Sequence, residues 1–427
     1  MRTPFPDSMT VNTLVIGGGQ AGLSMSYWLS NAGIEHRVLE RRSTLGGAWQ
    51  DRWDAFCLNT PNFSLQLPGM PYAGSSPEAF MSREDVVTHL RRYAQTFDSP
   101  VDTDTDVTRI TPVDGGFTVE TSNGTLHAQN VVLATGAYQK PKIPAVAPDV
   151  PANIQQLHTN DYRNPRQLAD GAVLVVGTGQ SGGQIAEELH AAGREVHLAV
   201  SACPEAPRRY RGRDLFYWLV QVGVHGSEYG VPPVGVEQLP SPAARFACNP
   251  LVSGANGGHD IHLRSLGRRG VHLHGHLEAI HGNELVFTDD LAERLTAVES
   301  GFGQRMQPVI DAYITAAGIN APPYEPSPLD EWAPGGPARL DLGEAGIGSI
   351  IWATGFQLDF GFLDIPVLDP WNYPRHIRGI TEYDGLYAVG LPWLTGQSSA
   401  LLTGVGRDAA YIAQHIAARH TADAVAV

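Results

Sequence analysis

Two segments of the chain share one order of apolar, glycine-rich and amphipathic positions. The first, VIGGGQAGLSMSYWL at residues 15–29, places an apolar run before a glycine turn and then a stretch with apolar residues at helical spacing. The second, VVGTGQSGGQIAEEL at residues 175–189, repeats that order 160 residues further along. The pattern predicts a buried strand, a tight turn and a helix in each segment, which is typical of an α/β fold with parallel strands.

Both turns fit the spacing G-x-G-x-x-G. The first glycine of such a turn permits the bend, the second lets a pyrophosphate approach the backbone, and the third lets helix and strand pack closely. The phosphate then lies against free amides at the helix N-terminus. The matching glycines are Gly17, Gly19 and Gly22 in the first turn and Gly177, Gly179 and Gly182 in the second. They predict two dinucleotide sites, with two glycine-rich turns that bind nothing as the alternative.

The residues that follow each turn differ in charge. The strand HRVLE ends at Glu40, whose carboxylate can accept hydrogen bonds from an adenosine ribose. The corresponding position of the second segment is Val200, followed by Ser201, so no carboxylate would repel a 2′-phosphate. Arg208 and Arg209 follow in PRRYRGR, and guanidinium groups suit phosphate recognition. We therefore predict FAD at the first turn and NADPH at the second; a solvated basic loop is the alternative for the arginines, and NADH use stays open.

Two β-rich strings end in Ala-Thr-Gly, VVLATG at Gly136 and SIIWATG at Gly355. We interpret them as the two crossings of the chain between domains. The predicted division is an FAD-binding domain of residues 1–140 and 350–427, an NADPH-binding domain of residues 155–349, and a hinge of residues 141–154.

Three further segments have a predicted structure. Ser82 and Asp85 form a capping box that predicts the start of a helix over residues 81–94. Residues 212–260 are rich in glycine, proline and aromatics, which predicts loops and short helices over the cofactor cleft. Residues 398–420 predict an amphipathic helix.

Composition narrows the function classes. A chain of 427 residues is longer than a single hydrophobic core usually supports, which favours two domains. A formal net charge of -15 disfavours nucleic acid and anionic membranes as partners. The cysteines Cys57, Cys203 and Cys248 lie far apart in the sequence, so they predict neither a disulfide framework nor a zinc site and favour a cytoplasmic setting. The oligomeric state stays open, with a homodimer as one option.

One histidine-rich string invites a metal site. VHLHGH places His272, His274 and His276 at strand alternation. No carboxylate pattern accompanies them in the sequence, so an exposed strand face is the favoured interpretation and no metal is predicted.

The motifs taken together resemble a known family. GGGQAG at 17–22, Glu40, GGAW at 46–49, HTNDY at 158–162, GTGQSG at 177–182, the two Ala-Thr-Gly strings and GLYAVGL at 385–391 resemble the class B flavin-containing monooxygenases, and within them the YUCCA-like and bacterial branch. The resemblance covers nearly the whole chain. It implies an α/β fold of two Rossmann-like dinucleotide-binding domains of the three-layer ββα type, with the NADPH domain inserted into the FAD domain.

The resemblance also implies site residues. Asn59 matches a family position over the flavin, with an Asx turn as the alternative role, and His158 matches a hinge residue that orients the nicotinamide, with a surface-loop histidine as the alternative. The cofactor-binding residues are expected to be Gly17, Gly19, Gln20, Ala21, Gly22, Glu40, Arg41, Gly47, Trp49, Ala134, Thr135, Gly136, Gly177, Gly179, Gln180, Ser181, Gly182, Ser201, Arg208, Arg209, Thr354, Gly355, Gly390, Gln397 and Ser398.

The implied activity is a monooxygenase that takes electrons from NADPH and inserts one atom of O2 into a small organic substrate through a C4a-(hydro)peroxyflavin. Tyr162 stands where the Baeyer–Villiger branch carries Trp, which favours oxygen transfer to nitrogen or sulfur. Baeyer–Villiger or YUCCA-type decarboxylating oxygenation, an NAD(P)H oxidase and a non-catalytic redox sensor stay open. A disulfide reductase is disfavoured, because that class relays electrons through closely spaced cysteines.

Overall fold

Strands and helices alternate along the chain. The computed structural model describes residue 5 and residues 9–326 and 332–426. The strands, in chain order, are β1 Met9–Ile16, β2 His36–Leu39, β3 Gln66–Leu67, β4 Met70–Pro71, β5 Val101–Asp102, β6 Val107–Val113, β7 Gly116–Thr121, β8 Gly124–Leu133, β9 Lys140–Pro141, β10 Gln155–His158, β11 Ala172–Val176, β12 Val196–Ala199, β13 Arg209–Tyr210, β14 Arg213–Asp214, β15 Val252–Ser253, β16 His259–Asp260, β17 His272–His274, β18 Leu277–His281, β19 Glu284–Phe287, β20 Arg339–Asp341, β21 Ile347–Trp352, β22 Phe356–Gln357, β23 His376–Ile377, β24 Ile380–Thr381 and β25 Leu386–Ala388. The α-helices are α1 Gln20–Asn31, α2 Arg83–Gln95, α3 Gln180–Ala191, α4 Leu215–His225, α5 Leu263–Arg268, α6 Leu291–Arg305, α7 Gln307–Ala316 and α8 Val405–Ala426.

The first sheet is built around the first glycine turn. Its order is β23-β24-β25-β8-β1-β2-β5, with parallel pairing from β25 to β5 and the antiparallel hairpin β6–β7 attached to β8. Neighbouring residues of β1 point to opposite faces, so Val15 packs towards Met25 of α1 and Ile412 of α8, whereas Leu14 belongs to the core with Phe117 of β7. The sheet therefore lies between a helical layer and a β layer.

The second sheet repeats this arrangement around the second turn. Its order is β10-β21-β11-β12-β17, and every pair is parallel. Val175 packs on the same side as Leu189 of α3, and Leu174 packs on the other side with Leu285 and Phe287 of the sheet β18–β19–β20. Each parallel sheet is thus covered by helices on one face and by strands on the other, as the sequence predicts for a pair of Rossmann-like units.

The chain passes between the two sheets at two adjacent places. It leaves the first sheet after Leu133 and joins the second at Gln155, and it leaves the second after Trp352. The two crossing segments pair as the antiparallel ribbon β9–β22, with Phe356 opposite Pro141. Strand β21 lies in the second sheet as far as Trp352, a little beyond the predicted boundary at residue 350.

The three segments with a predicted local structure agree with the observed elements to different extents. The capping box at Ser82 and Asp85 is confirmed, and helix α2 begins directly after it at Arg83. The C-terminal helix begins at Val405, because residues 398–404 form turns before it. Residues 212–260 contain one longer helix, α4, among short helices and short strands.

Candidate functional site

The two glycine turns have nearly the same backbone geometry. Gly17 has φ of 111°, and a Cβ there would lie 2.7 Å from the carbonyl oxygen of Ala134; a Cβ on Gly22 would lie 1.8 Å from the oxygen of Gly17. In the second turn Gly177 has φ of 104°, and the matching distances are 2.7 Å to Ala353 and 1.9 Å from Gly182 to Gly177. No side chain fits at these four glycines without moving backbone.

The middle glycine of each turn faces open space. A Cβ on Gly19 would meet nothing closer than 3.8 Å, and one on Gly179 would meet nothing within 4 Å. Both helices begin at the next residue, Gln20 and Gln180, so their first amides face the same opening. A bare backbone beside free amides is the cradle that a pyrophosphate needs.

The acceptor behind each turn differs in charge. The buried carboxylate of Glu40 accepts hydrogen bonds from the backbone amides of Gly18 at 2.8 Å and Arg42 at 2.9 Å. In the second turn the amide of Thr178 donates instead to the hydroxyl of Ser201 at 3.0 Å, and the amide of Ser201 donates back to Thr178 Oγ1 at 2.9 Å. A neutral hydroxyl thus replaces a carboxylate at the equivalent point.

Both turns open into one cavity of about 1110 Å³. The predicted residues that line it are Gly17, Gly19, Gln20, Ala21, Glu40, Arg41, Gly47, Trp49, Asn59, Ala134, Thr135, Gly136, Gly179, Gln180, Ser181, Gly355, Gly390, Gln397 and Ser398. The predicted residues that lie behind or away from its wall are Gly22, His158, Gly177, Gly182, Ser201, Arg208, Arg209 and Thr354. For the four packing residues Gly22, Gly177, Gly182 and Ser201 this agrees with a role in shaping the turn.

Asn59 is held by the second nucleotide helix. Its Nδ2 donates to Gln180 Oε1 at 2.7 Å, and its Oδ1 accepts from Gln184 Nε2 at 2.7 Å. Each glutamine is in turn fixed by a backbone carbonyl, Gln180 by Pro250 at 2.8 Å and Gln184 by Val252 at 2.9 Å. The amide of Asn59 is therefore oriented by side chains that belong to the second unit.

The first turn has a matching arrangement. Gln20, at the position that corresponds to Gln180, accepts a 2.8 Å hydrogen bond from Trp49 Nε1 and donates to the carbonyl of Ala400 at 2.5 Å. Trp53 and Trp393 also line the cavity, so three indole rings form part of its wall. Gln184 could have been found from the sequence, because it lies one helical turn after Gln180 on the same face.

His158 lies in the crossing between the sheets and not on the cavity wall. It is buried at the end of β10, its Nε2 donates to the carbonyl of Gly355 at 2.9 Å, and its Nδ1 accepts from the amide of Asn160 at 3.1 Å. Burial lowers the pKa of His158, with the Gly355 carbonyl opposing it. This ring joins the outgoing strand to the returning one, and it reaches the cavity wall through the backbone of Gly355 and through an edge contact with the Phe356 ring, 4.9 Å between centroids.

The two arginines predicted to bind a phosphate are engaged elsewhere. Arg208 is buried, donates to Asp214 Oδ2 at 2.7 Å and to the carbonyl of Asn59 at 2.6 Å, and covers the Phe80 ring. Arg209 is exposed and donates to Gly212 at 3.0 Å. Arg208 therefore supports the Asn59 segment in this structure. The cavity has other guanidinium groups that the sequence reasoning missed: Arg42, Arg52, Arg245, Arg305, Arg378 and Arg407.

Helix α4 gives the cavity an apolar side. The string LFYWLV forms its first turns, and Phe216, Leu219 and Val220 line the cavity while Leu215 and Trp218 are buried behind them. Met306 and Val309, at the junction of α6 and α7, extend this wall. The sequence suggested a cover over the cleft here, but which residues face inward depends on how α4 packs on α7.

The loop 393–404 lines another part of the cavity, and Arg407 behind it donates to the carbonyl of Gly223 in α4 at 3.4 Å. Gln397 is exposed, and Ser398 accepts a 2.7 Å hydrogen bond from Arg407. Behind them, Asp408 is buried and accepts from Thr395 Oγ1 at 2.8 Å, and burial raises the pKa of this carboxyl. The first turn of α8 therefore supports this loop.

Two cysteines that are distant in the sequence meet in space. The buried Cys203 thiol donates to the carbonyl of Asn249 at 3.2 Å, next to Cys248, which lines the cavity. Both thiols are free, and they interact: the contact with Cys248, more than burial, raises the pKa of Cys203, and the same contact lowers the pKa of Cys248. The sequence reasoning missed this contact, because separation along the chain does not limit contact across the fold.

Comparisons with known proteins agree with this fold. Residues 14–220 match the family model described as pyridine nucleotide-disulphide oxidoreductase. An uncharacterized oxidoreductase, CzcO-like, of Geobacillus kaustophilus is 32% identical over 95% of this chain and 98% of its own length. A probable indole-3-pyruvate monooxygenase, YUCCA4, of Arabidopsis thaliana is 28% identical over 48% of this chain and 50% of its own.

A solved structure repeats the whole architecture. A doubly substituted flavin monooxygenase from Stenotrophomonas maltophilia matches with a TM-score of 0.65 and 19% identity over 96% of this chain and 99% of that one. Within residues 9–326 and 332–426, no helix combines the length and the apolar character needed to traverse a bilayer. The full-length match shows that the chain belongs to the same oxidoreductase family as the CzcO-like protein, and its fold is that of the flavin monooxygenase structure.

Proposed function

We propose that this protein transfers one oxygen atom from O2 to a nitrogen or sulfur atom of a small, uncharged and largely apolar substrate, with FAD at the first turn and NADPH at the second. The observation that supports this most is that Gly19 and Gly179 open into the same cavity. Two dinucleotides on the two turns would then have their reactive ends in one space, as hydride transfer between them requires.

The residues present fit both groups. The first turn offers open backbone at Gly19 and the Glu40 carboxylate for a ribose, whereas the second offers open backbone at Gly179 and a hydroxyl where a carboxylate would repel phosphate. When bound, FAD supplies electron transfer and oxygen activation, and the protein supplies position, hydrogen bonds and exclusion of water.

Asn59 has the best position to act on the reacting oxygen. Its amide lines the cavity, and two glutamines of α3 hold it in place. A fixed amide can donate to developing negative charge without reorganising, which is where such groups stabilise a transition state most. Because both glutamines follow the second glycine turn, NADPH binding would be felt directly at Asn59.

The apolar α4 side of the cavity favours an uncharged substrate. The α4 side is formed by Phe216, Leu219 and Val220, and the indole rings of Trp49 and Trp53 also line the cavity. Apolar walls exclude water from the reacting centre and bind hydrocarbon groups around a soft nucleophile such as an amine or a thioether.

The test is NADPH oxidation under ¹⁸O2 with tag-free protein against panels of amines, thioethers, ketones and α-keto acids. We expect one heavy oxygen in the product of an amine or a thioether, and Asn59→Ala should slow that turnover about 100-fold. Asn31→Ala, on an exposed residue outside the cavity, is the matched control and should leave it unchanged.

Four results would contradict the proposal and separate the rivals. Heavy oxygen found only in an ester or lactone formed from a ketone would favour Baeyer–Villiger oxygenation, whereas decarboxylation of an α-keto acid would favour YUCCA-type chemistry. Peroxide equal to the NADPH consumed with every compound would indicate an oxidase. Flavin that NADPH does not reduce would indicate a redox sensor.

The cysteine pair supports a second candidate, a thiol–disulfide activity. A disulfide between Cys203 and Cys248 would become two thiols with the two electrons of NADPH and a solvent proton, and Cys248, whose pKa is lowered, would be the first to ionise. Anaerobic titration of oxidised protein separates the candidates. A reducible disulfide requires two NADPH per flavin and Cys248→Ser requires one, whereas one NADPH in both proteins would reject this second candidate.

A further inference from the structure

A cluster of imidazole and carboxylate groups lies on the second sheet, away from the cavity. Glu195 directly precedes β12, His197 lies on that strand, and His272 is the direct partner of His197 on the edge strand β17. One ligand atom from each of the three lies within 4.8 Å of the others. None of the three lines the cavity.

The histidine at the centre of this cluster has an unpartnered nitrogen. His197 is buried, with 4% of its surface exposed, and its Nε2 has no hydrogen-bond partner. A buried polar atom without a partner costs stability, so native proteins rarely keep one without a reason. The His197 ring stacks on the ring of His272 with 4.6 Å between centroids, and His272 Nε2 lies 3.2 Å from the Glu195 carboxylate. The unpartnered nitrogen therefore lies among groups that can ligate a cation.

The hydrogen-bond chain behind His197 fixes which nitrogen carries the proton. His274 Nδ1 faces the carbonyl of Pro337 at 3.4 Å, and a carbonyl can only accept, so His274 carries its proton there. Its Nε2 is then an acceptor, and His197 Nδ1 must donate to it across 3.0 Å. The unpartnered His197 Nε2 therefore presents a lone pair. The other tautomer would leave a buried N–H unpaired and set a lone pair against a carbonyl.

We propose that Glu195, His197 and His272 form a binding site for a divalent cation of the Zn²⁺ class. A histidine ligand that donates its other nitrogen into a hydrogen-bond chain is the usual arrangement around protein-bound zinc, because that chain fixes the ring and raises its basicity. Two imidazoles and one carboxylate are a zinc donor set with a fourth position left for water. His272 and Glu195 are about half exposed, so their side chains can adjust to the metal and solvent can deliver it.

This site would stabilise the second unit and not act in its chemistry. The cation would join β12 to the edge strand β17, and binding to the folded state alone raises the melting temperature. The histidine string suggested an exposed strand face, but His274 is buried, and the carboxylate that the string lacks is supplied by Glu195 beside the neighbouring strand. This cluster could not be predicted from the sequence, because Glu195 and His197 are distant from His272 along the chain, as Cys203 is from Cys248.

The experiment uses tag-free holoprotein stripped with chelator and titrated with ZnCl2 by calorimetry and by thermal melting. We expect one Zn²⁺ per chain and a rise in Tm of several degrees. His272→Ala and Glu195→Gln should each weaken binding at least about tenfold and remove the rise in Tm. Both change exposed side chains, so folding should survive, and flavin content and NADPH oxidation should not change.

His276→Ala is the matched control, because His276 is an exposed histidine of the same string that lies outside the cluster. It should bind Zn²⁺ like the wild type. Absence of binding to the wild type would overturn the proposal, and so would equal binding by the His272→Ala and His276→Ala proteins. Neither result bears on the monooxygenase proposal, since the cluster and the cavity share no residue.

Discussion

The two glycine turns have almost the same backbone geometry and differ in one hydrogen-bond acceptor. Gly17 and Gly177 both have a positive φ. A Cβ added to either would lie 2.7 Å from a backbone carbonyl oxygen, that of Ala134 or that of Ala353. Behind them, Glu40 accepts from one turn and Ser201 from the other. We therefore propose that the glycines let a dinucleotide approach each turn and that Glu40 or Ser201 influences which dinucleotide is favoured.

The largest expected effect comes from filling the tightest contact in each turn. Gly22→Ala and Gly182→Ala place a methyl group under 2 Å from a carbonyl oxygen, so each should cost about 3 kcal/mol or more of unfolding free energy. Gly22→Ala should purify without flavin. Gly182→Ala should keep flavin and lose its reduction by NADPH, as measured by absorbance after anaerobic mixing.

Gly303→Ala provides the control for that pair. Gly303 lies on the exposed side of α6, where an added methyl would meet nothing closer than 3.7 Å, so this change should stabilise the helix slightly. If Gly22→Ala and Gly182→Ala lost the same cofactor, the assignment of one cofactor to each turn would be wrong.

The next effect would come from exchanging the acceptor. Ser201→Glu gives the second turn the carboxylate of the first, and a carboxylate there would repel a 2′-phosphate. We expect the KM for NADPH to rise about tenfold while the KM for NADH changes little, which corresponds to about 1.4 kcal/mol of lost binding. Ser201→Thr keeps a hydroxyl and is the control. Equal changes for both nucleotides would remove Ser201 from the explanation of cofactor choice.

A smaller effect is expected from the glutamines that follow each turn. Gln184→Met keeps the side-chain volume and removes the donor to Asn59 Oδ1, so Asn59 keeps only its hydrogen bond to Gln180 and is less firmly oriented while the fold persists. We expect the share of NADPH electrons released as peroxide to rise several-fold with flavin content unchanged. Gln20→Met, which frees Trp49 instead, should weaken flavin retention. Identical behaviour of the two variants would argue against the separate roles.

The smallest effect concerns stability against pH. Burial, opposed by the hydrogen bond from Tyr162, raises the pKa of Glu188 to about 7 from the ordinary 4.5. Between pH 4.5 and about pH 7, Glu188 is ionised in the unfolded chain but still protonated in the folded protein. The free energy of unfolding therefore falls as the pH rises through this range. The expected loss is about 2 kcal/mol in urea unfolding at pH 8 compared with pH 5.

Glu188→Gln should abolish that fall, since it cannot ionise and still accepts from Tyr162. Exposed Glu344→Gln is the control and should leave the wild-type slope in place. The first unit has Trp28 at the corresponding position, with its indole donating to Gly406 at 2.9 Å, so this pH dependence belongs to the second unit. A slope that survives in Glu188→Gln would assign the dependence to other groups.

The sequence predicted what depends on local rules. Strand, glycine turn and helix were readable because Gly17 and Gly22 satisfy a fixed local geometry, and the Ser82 cap was readable for the same reason. Contacts between segments that are distant in the sequence could not be predicted from it. Arg208 looked like a free phosphate ligand, but its partner Asp214 and its burial depend on how the segment 208–214 folds against Asn59.

The ribbon β9–β22 has a consequence for how this architecture could change. Pro141 and Phe356 are paired, so the inserted unit begins and ends at neighbouring points. A segment with adjacent ends can be swapped for a homologous one without moving the host's own strands, because the gap to be bridged stays the same. Replacing the segment between Pro141 and Phe356 with that of a relative should therefore transfer the relative's nucleotide preference and leave the first sheet unchanged.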